Sequence, residues 1–224
     1  MSKFVVSGSR HHGLKGRFIV IEGPDGAGKS TQVRRLKDRL GERAPQVELC
    51  VTSEPWMSYW GKEIREKAAR GERMNPEAEM YTFLADRQEH LNQLILPSLE
   101  AGDLVLTDRY YLSSVVYQGV KGFDPVRVRR LNERFVPRPD LTLLLCLQPE
   151  EAWARVQRRG GLQDAFHKKE TVEDVARAYL ELDCPSISRV MVDDMSVEEV
   201  TDELWARMVW RWSDLDPLDK LEVE

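Results

Sequence analysis

Cysteine is scarce in this sequence of 224 residues, and its spacing argues against two kinds of stabilising site. The three cysteines, Cys50, Cys146 and Cys184, are odd in number and form no CxxC pair, so neither a disulfide framework nor a zinc knuckle is indicated. Two of them lie in apolar runs, where a reduced thiol inside the core is the expected state.

Long apolar segments and an excess of positive charge are also missing. The longest apolar run, residues 141–147, is far too short to span a bilayer, and residues 1–16 lack the apolar region of a secretory signal. With a net charge of -5, the chain has no overall attraction for nucleic acid or anionic membranes. We therefore expect a cytoplasmic protein that binds neither, and in which any anion is held by a local arrangement of residues.

Apolar segments of strand length alternate with helical patterns along most of the chain. Strands are predicted at residues 18–22, 47–52, 104–107, 141–147 and 188–192, and helical patterns cover residues 33–40, 76–100 and 197–212. Because these strands are apolar along their whole length, they predict an α/β fold, with a doubly wound parallel sheet of five strands flanked by helices. One domain is expected at residues 17–213, between an N-terminal extension, residues 1–16, and a solvated acidic tail, residues 214–224.

The first strand runs directly into a glycine-rich segment, "FIVIEGPDGAGKST", which fits the pattern GxxxxGK[ST]. A strand before this pattern and an amphipathic helix after it are the context typical of a P-loop. Glycines let successive backbone N–H groups turn toward phosphate oxygens, and the helix N-terminus adds its partial positive charge. A tight turn that binds nothing is the alternative. The residues of this loop that are predicted to bind a nucleoside triphosphate are Gly23, Asp25, Gly26, Ala27, Gly28, Lys29, Ser30 and Thr31.

A second polar pair follows the third predicted strand, in "LVLTDRYYLSSVVYQG". Asp108 and Arg109 lie at the carboxyl end of that strand, the edge at which doubly wound sheets bind ligands beside the P-loop. An aspartate there can hold Mg²⁺ through water, and an arginine can grip a phosphate with its planar fork. A structural ion pair is the alternative.

The segment "YTFLADRQEH" places an aromatic ring beside a guanidinium. Phe83 and Arg87 are four residues apart and share a helical face, with His90 near one turn further. Such a pair can sandwich a planar base and donate hydrogen bonds to its carbonyl group. A core phenylalanine beside a solvated arginine is the alternative interpretation.

Together these segments resemble bacterial thymidylate kinases, over residues 17 to about 211. The matching pieces, in the family's order, are "FIVIEGPDGAGKST", "EP" followed by "GKEIRE", "FLADRQEH", "DRYYLSSVVYQG", "RPDLTLLL" and "RRGG". The resemblance implies a P-loop NTPase fold with a short lid segment at about residues 157–170. It also implies phosphorylation of dTMP to dTDP by ATP with Mg²⁺, usually by a homodimer.

The resemblance also implies a role for individual residues. Lys29 and Ser30 would serve the ATP phosphates and Mg²⁺, with Asp108 near the metal. Asp25 would meet the deoxyribose 3′-hydroxyl, and Arg109 would hold the acceptor phosphate. Phe83 would stack on thymine, and Arg87 would donate to its O4. The other predicted acceptor-binding residues are Glu54 and Pro55, whose peptide is commonly cis in the family, and Arg65, Ser114, Tyr117 and Gln118.

The sequence departs from the family's pattern at several positions. Ser53 and Trp56-Met57 replace the usual arginine and glycines around Glu-Pro, Cys146 replaces a common aspartate, and Ala165 stands where the lid usually has an arginine. A cation near the transferring phosphoryl group can be worth about 10³–10⁵ in rate. We expect Arg159 to supply it, with Arg158 also binding ATP. Arg155, Lys168 and Lys169 are further candidates, and a solvated helix end is the alternative.

These departures leave other functions open. One is a kinase for another deoxynucleotide or for a deoxynucleoside, since Ser53 and Trp56 would change the floor of the acceptor pocket. Another is a nucleotide-binding relative with little catalysis, since the usual lid arginine is missing.

Overall fold

Five parallel strands form the sheet in the computed structural model, which describes residues 13–160, 168–182, 184 and 187–216. Their order across the sheet is β2-β3-β1-β4-β5, and every neighbouring pair is parallel, which confirms the predicted sheet. The strands are β1 (Arg17–Glu22), β2 (Leu49–Ser53), β3 (Leu104–Asp108), β4 (Leu141–Cys146) and β5 (Ile187–Met191).

Helices connect the strands and cover both faces of the sheet. They are α1 (Lys29–Arg43), α2 (Tyr59–Ala69), α3 (Pro76–His90), α4 (Leu96–Ala101), α5 (Tyr111–Val120), α6 (Pro125–Glu133), α7 (Pro149–Arg158), α8 (Lys169–Glu181) and α9 (Val197–Arg211). Among the described residues, no helix combines the length and the apolar character that crossing a bilayer requires.

The central strand β1 separates two apolar layers. Successive side chains of a strand point to opposite faces, so Ile19 and Ile21 pack with α1, α7 and α9, whereas Phe18 and Val20 pack with α3 to α6. All four side chains are almost completely buried. The sheet is therefore doubly wound, and the carboxyl ends of β1 and β3 lie side by side, because Ile21 pairs with Asp108.

The helix predicted at residues 76–100 is interrupted. Between α3 and α4 lies a π-helical turn, Leu91–Ile95. This wider turn ends just before Pro97, which has no N–H to donate to the carbonyl four residues earlier and whose ring would collide with it. Within this segment, Leu91 and Ile95 are fully buried, whereas Leu84 is half-buried.

The edge strands and the chain ends also differ from the sequence-based expectation. The strand β2 is half-exposed, since an edge strand has a neighbour on one side alone. At the C-terminal end, Leu215 is fully buried and Asp216 accepts a hydrogen bond from Trp205. The expected solvated tail therefore does not begin at residue 214. Residues 217–224, and residues 1–12 of the N-terminal extension, lie outside the described residues.

Candidate active site

The glycine-rich segment forms a loop between β1 and α1, in the strand–loop–helix context that its pattern predicts. Gly23 has a φ of 146°, and a Cβ at this position would collide with the carbonyl of Leu145 on β4. The chain can therefore turn away from the sheet here only without a side chain. This turn brings the following backbone N–H groups to the N-terminus of α1, where an anion is stabilised.

Lys29 is held in this loop by a hydrogen bond from its ammonium group to the carbonyl of Pro24, at 2.8 Å. Burial, reinforced by the nearby charge of Arg109, lowers its pKa to about 8, although Asp25 and Asp108 oppose this change. A desolvated cation of this kind interacts strongly with a phosphate, because little water screens it.

Ser30 and Asp108 meet where β3 ends. The Ser30 hydroxyl donates to Oδ2 of Asp108 at 2.5 Å, whereas Oδ1 of Asp108 is buried and has no hydrogen-bond partner within the described part of the chain. A hydroxyl beside a partly unsatisfied carboxylate is the oxygen donor set that suits Mg²⁺. No group of three or more His, Cys, Asp and Glu side chains among the described residues could form a metal cage. The pair therefore fits an ion that is held mainly by substrate phosphates and water.

Arg109 links the P-loop to the acceptor side. Its φ of 72° lies in the left-handed region, and its backbone N–H donates to the carbonyl of Ile21. Its guanidinium forms an ion pair with Asp25 at 2.5 Å, and the Tyr117 hydroxyl donates to the same carboxylate at 2.8 Å. Burial opposes the charge of Arg109, but Tyr117 and Asp25 hold its pKa well above the ordinary value. Strained backbone of this kind clusters at functional sites.

A cavity of about 300 Å³ opens beside this ion pair. Every residue predicted to bind the acceptor lines it, from Asp25 in the P-loop to Gln118 in α5. Ile64, Ala68, Glu79 and Ser113 complete its walls. The structure therefore brings together the acceptor residues that the sequence distributes over almost a hundred positions.

Arg87 is buried and lines this cavity, so the alternative of a solvated arginine is wrong. Its Nε and Nη2 donate to Glu54 at 2.9 and 2.6 Å, Nη2 also donates to Ser114, and Nη1 donates to Asn132. These bonds use four of the five N–H groups of a guanidinium. The plane of Arg87 is thus fixed, and one N–H of Nη1 remains without an acceptor among the described residues.

Glu54 is the carboxylate that holds Arg87, and it precedes a cis peptide bond to Pro55, as the resemblance implies. His90 contacts Oε1 of Glu54 at 3.4 Å and the hydroxyl of Thr52 at 2.7 Å. Burial alone would raise the pKa of Glu54, but the charge of Arg87 and the contact with His90 hold it below the ordinary value. Glu54 therefore remains charged in the wall of the cavity.

Trp56 packs away from the cavity, although it replaces a glycine of the family's pattern. Its ring stacks on His90, with centroids 5.1 Å apart and an interplanar angle of 14°. The backbone N–H of Trp56 donates to Asp86, and its backbone carbonyl accepts from Arg65. The same carbonyl lies so close to Gly61 that a Cβ at position 61 would collide with it. Trp56 is absent from the cavity lining, so this departure leaves the acceptor pocket open.

Two further cavities continue from the P-loop. One of about 530 Å³ joins the donor and acceptor residues, being lined by Lys29, Ser30, Asp108 and Arg109 as well as Glu54. The other, of about 230 Å³, lies between the P-loop, the end of α7 and the start of α9. Gly26, Gly28 and Thr31 line both.

The arginines at the end of α7 have different surroundings. Arg155 donates to the carbonyls of Val192 and Asp193 and to Glu151, and Arg158 pairs with Glu151 at 2.9 Å. Arg159 lines both P-loop cavities and, within the described part of the chain, its side chain has no hydrogen-bond or ion-pair partner.

The remaining lid candidates lie further along the chain. Lys168 is the N-cap residue of α8, and Lys169 pairs with Glu173. Ala165, with the rest of residues 161–167, lies outside the described residues.

Sequence reasoning missed several side chains that support the site. Glu22 and Ser113 could have been found from their neighbours, because a charge ending an apolar strand is unusual and Ser113 adjoins the predicted Ser114. Nothing local points to Asn132 or Tyr179. Asn132 is 45 residues from its partner Arg87, and Tyr179 is 157 residues from its partner Glu22.

A P-loop beside a second cavity lined by Arg65, Arg87 and Arg109, at the ends of β1 and β3, defines a nucleotide-dependent phosphotransferase of the P-loop NTPase class. Comparison with known proteins specifies the family. The family model described as Thymidylate kinase matches residues 21–204. The chain therefore belongs to the thymidylate kinase family, as its motifs indicate.

Individual relatives are similar to this chain over most of their length. The thymidylate kinase of Akkermansia muciniphila is 37% identical over 201 residues, which cover 90% of this chain and 95% of that one. The probable thymidylate kinase of Archaeoglobus fulgidus is 38% identical over 187 residues, covering 84% and 92%. The solved structure of thymidylate kinase from Candida albicans superposes with a TM-score of 0.73 at 27% identity, covering 90% of this chain and 94% of that one.

Proposed function

We propose that this protein transfers the γ-phosphoryl group of ATP to dTMP and forms dTDP. The observation that carries the proposal is the continuous cavity in which Lys29 and Ser30 of the donor side face Arg109 and Glu54 of the acceptor side. A protein that only sensed ATP would have no need of Arg87, an arginine buried in the wall of a second pocket.

Three side chains of the acceptor cavity suit a thymine base. The free N–H of Arg87 can donate to the O4 carbonyl, which cytosine replaces with an amino group that is itself a donor. The amide of Gln118 is buried, and neither its oxygen nor its nitrogen has a partner in the described residues. One amide offers both a donor and an acceptor, which is what the imide edge of thymine requires. Phe83 supplies a ring on which the base can stack.

Ser30 and Asp108 would hold Mg²⁺ with the ATP phosphates. When bound, the ion would neutralise negative charge on the phosphates during transfer. Oδ1 of Asp108, which is buried and has no partner among the described residues, is the atom that supports this assignment.

Transfer then depends mainly on position and charge. Lys29 binds the donor phosphates, and Arg109 holds the acceptor phosphate in line with them. We assign the additional cation to Arg159, because Arg155 and Arg158 are already bonded within their own region whereas Arg159 lines both P-loop cavities. Arg158 lines the outer cavity, where it can contact ATP.

A coupled assay with purified protein, ATP, Mg²⁺ and each pyrimidine monophosphate tests the proposal. We expect dTMP to be the best acceptor. We expect dUMP to be poorer by about 10- to 200-fold in kcat/KM, because a single methyl group distinguishes it. Absence of dTMP turnover, or equal turnover of thymidine without its phosphate, would contradict the proposal.

The alternatives of another acceptor and of a catalytically weak relative each lose one of the observations that motivated them, while Ser53 lines the cavity of about 530 Å³. Trp56 packs on His90 instead of entering the acceptor pocket, and Arg159 can replace the missing lid arginine.

We also propose that the protein is a homodimer. The proposal rests on the family resemblance and on exposed apolar side chains of the neighbouring helices α2 and α3, namely Tyr59, Trp60 and Tyr81. Light scattering coupled to size exclusion measures the mass directly, and a mass of one chain at micromolar concentration would contradict the proposal.

A further inference from the structure

A buried polar cluster contacts Nη1 of Arg109, whereas Asp25 pairs with Nη2. It consists of Glu22 at the end of β1, Ser113 in the first turn of α5 and Tyr179 in α8, and we call it the Glu22 cluster. Glu22 and Tyr179 are fully buried. Neither lines the acceptor cavity, so neither is expected to touch a substrate.

The Glu22 carboxylate is saturated with hydrogen bonds. Oε1 accepts from the backbone N–H groups of Tyr110 and Ser113, at 2.9 and 3.1 Å, and thereby caps the start of α5. Oε2 accepts from the Ser113 hydroxyl at 2.7 Å and from the Tyr179 hydroxyl at 2.9 Å. A carboxylate has about four acceptor positions. Glu22 therefore fixes the backbone directly after Arg109 while two hydroxyls fix Glu22.

Counting the hydroxyl protons gives the direction of the hydrogen bond between Ser113 and Arg109. Each hydroxyl has one proton, and both protons point to Glu22, so the lone pairs of Ser113 are left to accept. Nη1 of Arg109 donates to Ser113 Oγ at 3.2 Å, and the Tyr179 hydroxyl lies 2.9 Å from the same oxygen. The hydrogen-bonded path thus runs from Tyr179 in α8 through Glu22 and then Ser113 to the guanidinium of Arg109.

We infer that Tyr179 is a positioning residue for Arg109. Its hydroxyl keeps Glu22 and Ser113 in the arrangement that aims the guanidinium at the acceptor phosphate. The inference rests on the acceptor-phosphate role proposed above for Arg109. It assigns a function in the acceptor site to α8, which contributes no residue to the cavity lining.

The substitution Tyr179→Phe tests this inference, because it removes one hydroxyl and keeps the buried ring. Loss of a hydrogen bond in a charged network costs enough to lower kcat/KM for dTMP by about tenfold. We expect the KM for ATP to remain within about twofold of its original value, because the P-loop contacts are unchanged. The matched control is Tyr111→Phe, which removes another buried hydroxyl whose charged neighbours are Arg129 and Glu133. It should leave both substrates unaffected.

A double-mutant cycle separates positioning from general stability. If Tyr179 acts through Arg109, the loss caused by Tyr179→Phe should largely disappear in an Arg109→Lys background, because groups that share a network are not additive. Independent losses that multiply would overturn the inference, as would an equal loss of efficiency toward ATP and dTMP.

Two single variants, Arg109→Lys and Ser113→Ala, separate the role of Tyr179 from the proposed role of Arg109. If Arg109→Lys alone leaves the dTMP kinetics unchanged, the proposed role of Arg109 is wrong and the inference fails with it. If Arg109→Lys impairs dTMP turnover but Tyr179→Phe does not, only the role of Tyr179 is wrong. Should Tyr179→Phe fold poorly in thermal unfolding, Ser113→Ala must produce the same loss for dTMP alone, and its failure to do so overturns the inference.

Discussion

The donor side and the acceptor side of this active site are built in different ways. The donor side comes from one loop and the first turn of α1, and its polar groups are mainly backbone N–H groups and one lysine. The acceptor side joins α2, α3, α5 and the turn after β2, and it depends on buried pairs such as Arg87 with Glu54. Substitution of Lys29 in the donor loop should therefore alter catalysis alone, whereas substitutions in the acceptor network should alter catalysis and folding together.

The largest effect on activity is expected for Lys29→Ala. Removing a cation that stabilises transition-state charge should lower kcat by at least about 10²- to 10³-fold. Because Lys29 forms no ion pair within the described part of the chain and its ammonium group donates to the carbonyl of Pro24, the melting temperature should change little. Steady-state kinetics and thermal unfolding measure the two quantities, and a strongly destabilised variant would contradict the contrast between the two sides.

The acceptor network should respond differently to Glu54→Gln. Glu54 and Arg87 are each at most 3% exposed in their side chains, and breaking a buried pair leaves an uncompensated charge that costs about 3–5 kcal/mol of unfolding free energy. Denaturant titration measures this loss. The control is Glu66→Gln in the exposed pair with Lys62, which should cost less than about 1 kcal/mol. Equal costs at the two positions would mean that the acceptor network does not stabilise the fold.

Phe83→Ala should affect one substrate alone. Stacking of a base on an aromatic ring is worth about 1–3 kcal/mol, so the KM for dTMP should rise by roughly 5- to 150-fold. The KM for ATP should not change, since Phe83 lines the acceptor cavity and neither P-loop cavity. An unchanged KM for dTMP would show that the ring does not contact the base.

Lys29 should make ATP binding depend on pH. Its pKa in the free protein is about 8, so below this pH the ammonium is already charged when ATP binds. Above it, binding must take up a proton, and the affinity should fall by up to about tenfold per pH unit. Calorimetry at about pH 9 in two buffers of different ionisation enthalpy detects the proton uptake. Lys29→Arg, which keeps its charge, is the control, and wild-type binding without proton uptake would contradict this prediction.

The same contrast explains how much the sequence could predict. The P-loop follows from local pattern, because Gly23, Lys29 and Ser30 act within one turn of chain. The acceptor residues required the family resemblance, since Phe83 and Arg87 alone also fit a core phenylalanine and a solvated arginine. Neither the local pattern nor the family resemblance predicted the Glu22 cluster, because its contacts join segments that are adjacent only after the sheet has formed. The interruption of the helix after His90 does not follow from the pattern, because the helical spacing that predicts residues 76–100 continues through this segment.

The smallest effect is expected for Trp56→Phe, although Trp56 occupies the most conspicuous departure from the family's pattern. The backbone of residue 56 supplies the contacts with Asp86 and Arg65, and phenylalanine preserves that backbone and can still stack on His90. The KM for dTMP should therefore stay within about twofold, since a swap of one stacked ring for another removes no contact with the cavity. Steady-state kinetics with dTMP checks this. A tenfold rise in KM would mean that the indole reaches the acceptor after all, and that the floor of the pocket depends on the side chain of residue 56 as well as on its backbone.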